Sequence, residues 1–329
     1  MAGVSAATVD RVLNGRVGVK AKNRHRVLEA AAKLGYLPET GDLAMPARPA
    51  RLEFFLPVAG NRFLANLADH IVDFCERLPL VSSFKVHRLA DASPDVLASA
   101  LDELDVETEG VGILAIDDPR TRNLAARLVG AGLRVVTMVT DLPSSPRANY
   151  VGIDNRIAGR TAGLLMGAMI RRDSAEVALI LGSRRYRGHD EREAGFRSIL
   201  AERFPGIKVA EALEIDDDSQ RGYQAAASVL ARAPNIGGIY VAGGGRTGVI
   251  AAVKESSGAR PLVFCHDLTD QTREALLDGS IDIVIDQNAR LMAEQTTIQL
   301  LGTIASAAPY LTKKLIEPRI ITRENVPLM

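Results

Sequence analysis

From Arg51 onward the chain alternates between two patterns. Short runs apolar on both faces are followed by stretches whose apolar residues recur every three or four positions. The first run is Leu52-Glu53-Phe54-Phe55-Leu56. Pro57 and Gly60 break it, and Leu64, Leu67, Ile71, Phe74 and Leu78 then mark one face of a helix. A second run, 84–87, leads to a helix near 96–104, a run at 111–116, a helix over 124–129 and a run at 135–139. Further strands are predicted at 177–181, 207–213, 236–241, 262–265 and 281–285. Helices are predicted near 158–170, 191–204, 220–231, 248–255, 269–277 and 291–300. Strands apolar on both faces belong in parallel sheets covered by helices. About ten of them are many for one doubly wound sheet, so the pattern predicts two Rossmann-like lobes in series. A ligand then sits between the carboxyl ends of the two sheets, in a cleft that hinge motion closes.

The first fifty residues follow another pattern. Ser5 is a good N-cap for a short helix, and Asn14-Gly15 is a stop, because glycine tolerates the left-handed conformation that ends helices. Val27, Ala30, Ala31 and Leu34 form the apolar face of a second helix, which Gly35 ends and Pro38 prevents from restarting. Two short helices so close suit a helix-turn-helix whose recognition helix lies in a DNA major groove. Pro46 and Pro49 make 41–50 a linker.

Composition bounds this picture. With 47% hydrophobic and 24% charged residues among 329, the chain is ordinary globular material for two or three domains. Lys plus Arg and Asp plus Glu are both 40, so net charge gives no hint of nucleic acid. Its distribution does. Up to Thr40 the bases Arg11, Arg16, Lys20, Lys22, Arg24, Arg26 and Lys33 face only Asp10, Glu29 and Glu39, a basic end suited to phosphate contacts. Cys75 and Cys265 are too far apart in sequence and too few for a disulfide framework or zinc site. No apolar run approaches the ~20 residues of a membrane span. The start also lacks a signal-peptide core, so a cytoplasmic protein with no membrane partner is expected. His25, His70, His87, His189 and His266 show no metal-ligand spacing, and no G-x-S-x-G elbow is present. No metal, no cofactor and no enzymatic activity are expected.

Gly3-Val4-Ser5, Thr8-Val9, Arg11-Val12-Leu13-Asn14-Gly15, Arg26 to Ala31 and Leu34-Gly35-Tyr36-Leu37-Pro38 resemble, in order and spacing, the DNA-binding headpiece of the lac repressor (LacI/GalR) family. The resemblance implies a helix ahead of this stretch. Met1-Ala2-Gly3 begins too late to contain it, so a partial headpiece is expected. It also implies a hinge helix that wedges a leucine into the minor groove; Leu43 is the candidate, with Pro46 and Pro49 leaving little helix around it.

The body resembles the type I periplasmic sugar-binding proteins, the fold of that family's effector domain. The markers are Tyr150-Val151-Gly152-Ile153-Asp154-Asn155, Arg192 with Gly195-Phe196, His266-Asp267 and Ile285-Asp286-Gln287. The fold expected is therefore α/β, two Rossmann-like lobes preceded by a partial all-α helix-turn-helix headpiece at 1–40 and a hinge at 41–50. The lobes are expected at about 51–141 plus 288–311 and 142–287 plus 312–329, with crossings near Asp141, near Gln287 and after Leu311. Residues 318–324 look like the family's terminal strand.

On the headpiece, Ser5, Ala6, Ala7, Thr8, Asp10, Arg11 and Asn14 are the candidate DNA contacts. Ala6 and Ala7 can offer apolar contact to a thymine methyl, and Arg11 can reach guanine or phosphate. One recognition helix reads only a half-site, so the partner is a palindromic operator and the state a homodimer. In the body, Asn61, Phe63, Asp117, Asp118, Arg192, Asp267 and Gln287 follow strand ends. Such groups suit a sugar or polyol, whose hydroxyls pair with Asp, Asn, Arg and Gln and whose C–H face packs on an aromatic ring.

Gly243-Gly244-Gly245-Arg246-Thr247-Gly248 fits G-x-G-x-x-G after a strand, so a nucleotide-dependent enzyme is one alternative. Otherwise the glycines let backbone approach a ligand, and Arg246 meets an anionic group. Asp216-Asp217-Asp218 reads as a solvated helix cap. His266 and Asp267 are adjacent in a strand and point to opposite faces, so one of them is buried. The expectation is a ligand-responsive repressor, with a plain solute-binding protein as the other alternative. Its effector is a neutral pentose, hexose or cyclitol, or a phosphorylated sugar if Arg184, Arg185 and Arg246 serve it.

Overall fold

The computed structural model describes scattered residues before Met45 and then residues 45–171, 174–210, 212–233, 236–305 and 312–327. Strand β1 (Ala50–Pro57) opens the first sheet. Its odd and even positions explain the two-faced apolar run. Leu52, Phe54 and Leu56 are buried on one face with Leu67 and Ile71 of α1 (Arg62–Arg77). Phe55 is buried on the other face with Leu97 of α2 (Pro94–Leu101) and Leu128 of α3 (Pro119–Gly130). Helices on both faces leave no solvent side to the sheet.

That sheet also holds β2 (Val81–Leu89), β3 (Gly110–Ile113), β4 (Arg134–Met138), β5 (Asn149–Gly152) and β12 (Thr312–Leu315). Its order is β12-β5-β4-β3-β1-β2, all parallel. The second sheet is built from β6 (Ala175–Leu181), β7 (Ile207–Val209), β8 (Leu213–Glu214), β9 (Gly238–Val241), β10 (Leu262–His266), β11 (Ile283–Asp286) and β13 (Arg319–Ile321). Its order is β13-β11-β10-β9-β6-β7, with β8 also on β6 and only β13 antiparallel. Helices α4 (Asn155–Met169), α5 (Arg187–Arg203), α6 (Ser219–Arg232), α7 (Arg246–Glu255) and α8 (Asp270–Leu277) belong to this lobe. The last helix, α9 (Ala289–Ala305), returns to the first, where it packs on α1 and β4.

Two expected boundaries are corrected. The chain does not leave the first lobe near Asp141. It continues into β5, which pairs with β4 in the register Val136–Asn149, and crosses only after Gly152. Nor does it cross after Leu311, because β12 lies beside β5 in the first sheet; the third crossing falls between Leu315 and Arg319. The physical reason is that β5 is four residues long, with buried Asn149 bonded to Gln299 and a glycine at its end, so it makes no apolar run. The run predicted at 207–213 is two strands, β7 and β8, separated by a break.

At the N-terminal end, the Ser5 hydroxyl accepts from the Thr8 N–H at 3.3 Å, the N-cap the sequence predicts, and Val12 and Val27 are buried. Ala6, Ala7, Asp10, Arg11 and Asn14 lie outside the described residues, as does Leu43. Arg48 donates both terminal nitrogens to Glu109, at 3.1 and 2.8 Å, fixing the end of the linker to the first lobe.

Candidate ligand-binding cleft

The carboxyl ends of the two sheets face each other across one cavity. From the first lobe, Asn61 caps α1, its Oδ1 accepting from the Leu64 N–H at 3.3 Å. That cap places Asn61, Phe63 and Leu64 on the cavity, beside Leu114 after β3 and Val139 and Thr140 after β4. From the second come Tyr186, Gly188, His189 and Arg192 at the start of α5, Asp217 after β8, Gly243 and Gly244 after β9, Asp267 after β10 and Gln287 after β11. The cavity encloses about 40 Å³. At roughly 10–15 Å³ per water this is space for a few waters, so a sugar ring enters only when the lobes part.

Arg192 is 3% exposed and already half engaged. Its Nε donates to Asn155 Oδ1 and one terminal nitrogen to the Ala242 carbonyl, both at 2.8 Å. The rest of the guanidinium fork borders the cavity. Asp267 is 4% exposed and stands in the left-handed region at φ 68. Gln287 Nε2 donates to its Oδ1 at 2.7 Å, and Arg246 donates to its Oδ2 at 3.3 Å. Burial pushes its pKa upward, against the pull of Arg246 and Arg192.

His189 is neutral. Its Nδ1 stands 3.0 Å from the Ser183 nitrogen and 2.9 Å from the Ser183 carbonyl oxygen, and burial pushes its pKa down to about 4. Two buried oxygens on the cavity lining have no partner among the described residues, Thr140 Oγ1 on one lobe and Gln287 Oε1 on the other.

Asn61, Phe63, Arg192, Asp267 and Gln287 are thus brought together. Asp117, Asp118 and Arg246 are not among the lining residues. β3 ends at Ile113, and Asp118 has become the N-cap of α3, accepting from the Arg120 N–H at 2.8 Å. Asp117 pairs with Arg122 at 2.6 Å. Arg246 points inward and supports Asp267 and the Gly243 carbonyl. The sequence reading missed Thr140, His189 and Asp217. Thr140 follows an apolar run directly and was legible from strand position alone. Asp217 was not, because β8 before it is two residues long. Of the adjacent pair, His266 is the buried one with a structural role, bonded through Nε2 to the Tyr240 hydroxyl at 2.7 Å, but Asp267 is buried as well.

Comparison with known proteins agrees with both parts of the chain. Residues 52–305 match the family described as periplasmic binding protein domain. Residues 1–39 match the family described as bacterial regulatory proteins, lacI family. The chain belongs to the periplasmic binding protein domain family through its body, and its first 39 residues match the lacI family of regulators. An HTH-type transcriptional regulator of Mycobacterium tuberculosis is 29% identical over 177 residues, 50% of this chain and 46% of that protein. Catabolite control protein A of Priestia megaterium is 38% identical over 73 residues, 22% of each chain. The chain thus spans less than half the length of these curated relatives.

Among solved structures, a transporter solute binding protein from Burkholderia graminis in complex with D-arabinose superposes with TM-score 0.77 at 23% identity, covering 86% of this chain and 98% of that one. A glucose-galactose binding protein from Geobacillus stearothermophilus gives 0.76 at 19%, covering 85% and 100%. At these identities the likeness is one of fold: two-lobed α/β with parallel sheets, as the sequence predicts.

Proposed function

We propose that this chain is a ligand-responsive, DNA-binding transcription regulator, a repressor, that senses a small sugar or polyol in its interlobe cleft. The observation that carries the ligand reading is the pair of unpartnered buried oxygens, Thr140 Oγ1 and Gln287 Oε1, on opposite walls of one cavity. A buried polar atom without a partner costs on the order of 1–3 kcal/mol, and a ligand hydroxyl on each side would recover that cost. Phe63 supplies an apolar surface for a sugar's C–H face. A ligand bonded to both lobes binds the closed form better than the open one, and that difference is what shifts a two-state equilibrium. The lacI match over residues 1–39 supports operator DNA as the other partner, bound by a cytoplasmic homodimer through two half-sites. Coupling between the two sites is then by population shift.

The structural neighbours favour a second reading, a sugar-binding protein with no DNA activity. A thermal-shift panel of sugars, polyols and NAD, run beside electrophoretic retardation of the gene's upstream DNA, separates them. Stabilisation by a sugar with sugar-sensitive DNA retention is expected. Sugar stabilisation without DNA retention selects the second reading, and NAD-dependent stabilisation with turnover sinks both.

A further inference from the structure

The glycine loop between β9 and α7 has the spacing of a phosphate cradle, yet a carboxylate sits in it. After the two-residue β8, Asp216 and Asp217 both take left-handed backbone, with φ 51 and 57. This turns Asp217 back into the cleft. Its Oδ1 accepts from the Gly244 N–H at 2.6 Å, a donor that a phosphate would need. The seat is made by missing side chains. A Cβ on Gly182 would stand 1.8 Å from Asp217 Oδ1, one on Gly243 2.9 Å from the same atom, and one on Gly244 2.7 Å from Asp217 Cβ. From the opposite lobe Asn61 Nδ2 donates to Asp217 Oδ2 at 3.5 Å.

The charge count around the cavity is even. Arg192 is the one guanidinium in its lining, and Asp217 offsets it. Asp267 is matched by Arg246 behind it. Arg184 is spent on Asp190 and Glu193, at 3.1 and 2.7 Å. Arg185 is exposed and outside the lining. Within the lining no positive charge is left over for a phosphate dianion, which would also meet the Asp217 carboxylate at the place where the loop would otherwise hold it.

We infer that Asp217 is the specificity-determining residue of the cleft, accepting hydroxyls from a neutral polyol and rejecting phosphorylated and acidic sugars. A carboxylate offers about four acceptor positions, of which Gly244 and Asn61 take two. The others are free for ligand hydroxyls, and a ligand can displace the long Asn61 contact as the lobes move. The inference rests on the ligand reading above.

The test is calorimetric titration of the full chain with D-arabinose, D-galactose and D-allose, and with D-arabinose 5-phosphate, D-galactose 6-phosphate and D-galacturonate. At least one neutral sugar is expected to bind, with its charged counterpart weaker by about tenfold or more, about 1.4 kcal/mol. Asp217→Asn keeps the shape and an acceptor for Gly244 and is expected to close most of that gap. Charged sugars binding the wild-type chain as tightly as neutral ones would overturn the inference and leave the ligand reading standing. So would an unchanged gap in Asp217→Asn. The wild-type comparison decides by itself if the variant does not fold. If none of the six binds, the ligand reading falls, and the inference with it.

Discussion

His189 and Asp267 stand on the same cavity wall and are shifted in ways that act oppositely on stability. His189 has its pKa pushed down to about 4 by burial, opposed in part by Asp217. An unfolded histidine titrates near 6.5. Between pH 6.5 and 4 the unfolded chain therefore binds the additional proton, and stability falls as pH falls through that window. His266, buried beside Arg192, is pushed the same way. Asp267 is pushed up, so its contribution is present at acid pH and fades as pH rises through its folded value. We expect His189→Gln, which keeps an acceptor for the Ser183 N–H, to make the fall of melting temperature between pH 6.5 and 4 shallower. An unchanged slope would show that other groups titrate there. Arg192, Asp267 and Gln287 were legible in the sequence because each sits at the end of an apolar run or in a family marker. Asp217 was hidden because three consecutive aspartates look like a solvated cap, and Asp218 is indeed the N-cap of α6. Only the left-handed turn before it separates the cap from the cleft residue.

At the scale of elements, α4 and α5 decide where Arg192 points. The two helices approach until backbone meets backbone. A Cβ on Gly159 would lie 2.0 Å from the Arg192 carbonyl oxygen, and one on Gly195 would lie 2.1 Å from that of Arg156. Gly163 faces Ile199 and Gly167 faces Phe204 in the same manner, so glycines at every fourth position form one groove along α4. Gly159→Ala has no flexible side chain to push aside. It is expected to cost about 1–3 kcal/mol, as overpacking does, and to weaken ligand binding by displacing Arg192. Urea unfolding and titration of the best-binding sugar measure the two effects. A variant as stable as wild type would mean the helices can separate freely. The sequence carried the helices here through their apolar spacing, but not their closeness. Gly195-Phe196 stands out in the sequence only as a family marker. The short strands β5 and β12 were lost for the opposite reason, having no periodicity to display.

The whole molecule is two discontinuous lobes joined by three crossings, after Gly152, after Asp286 and between Leu315 and Arg319. Alternation of apolar runs and amphipathic stretches predicted two lobes correctly, because that alternation is what a helix-covered parallel sheet imposes on its strands. It could not fix which strand belongs to which lobe, since β12 finds its register partner in β5, far back in the chain. The second crossing is marked in the backbone. Asn288, immediately after Gln287, is left-handed at φ 55, and its side chain caps the first turn of α9 by accepting from the Leu291 N–H at 3.2 Å. A cleft residue and a crossing residue are therefore neighbours, so a ligand that holds Gln287 acts directly on a segment that must turn when the lobes move.

The placement of β12 and β13 also bears on the order in which this protein can be made. Each sheet takes one of its edge strands from the last sixteen described residues. A ribosome has therefore delivered almost the entire body before either lobe can finish its sheet. Until then the edges of β5 and β11 present unpaired N–H and carbonyl groups, the surface on which nascent chains aggregate. Stopping synthesis after Ala305 should give a product that precipitates or stays chaperone-bound, and adding back residues 306–329 as a peptide should rescue part of it. Soluble, fully folded protein from the shortened chain would show that the final strands are dispensable.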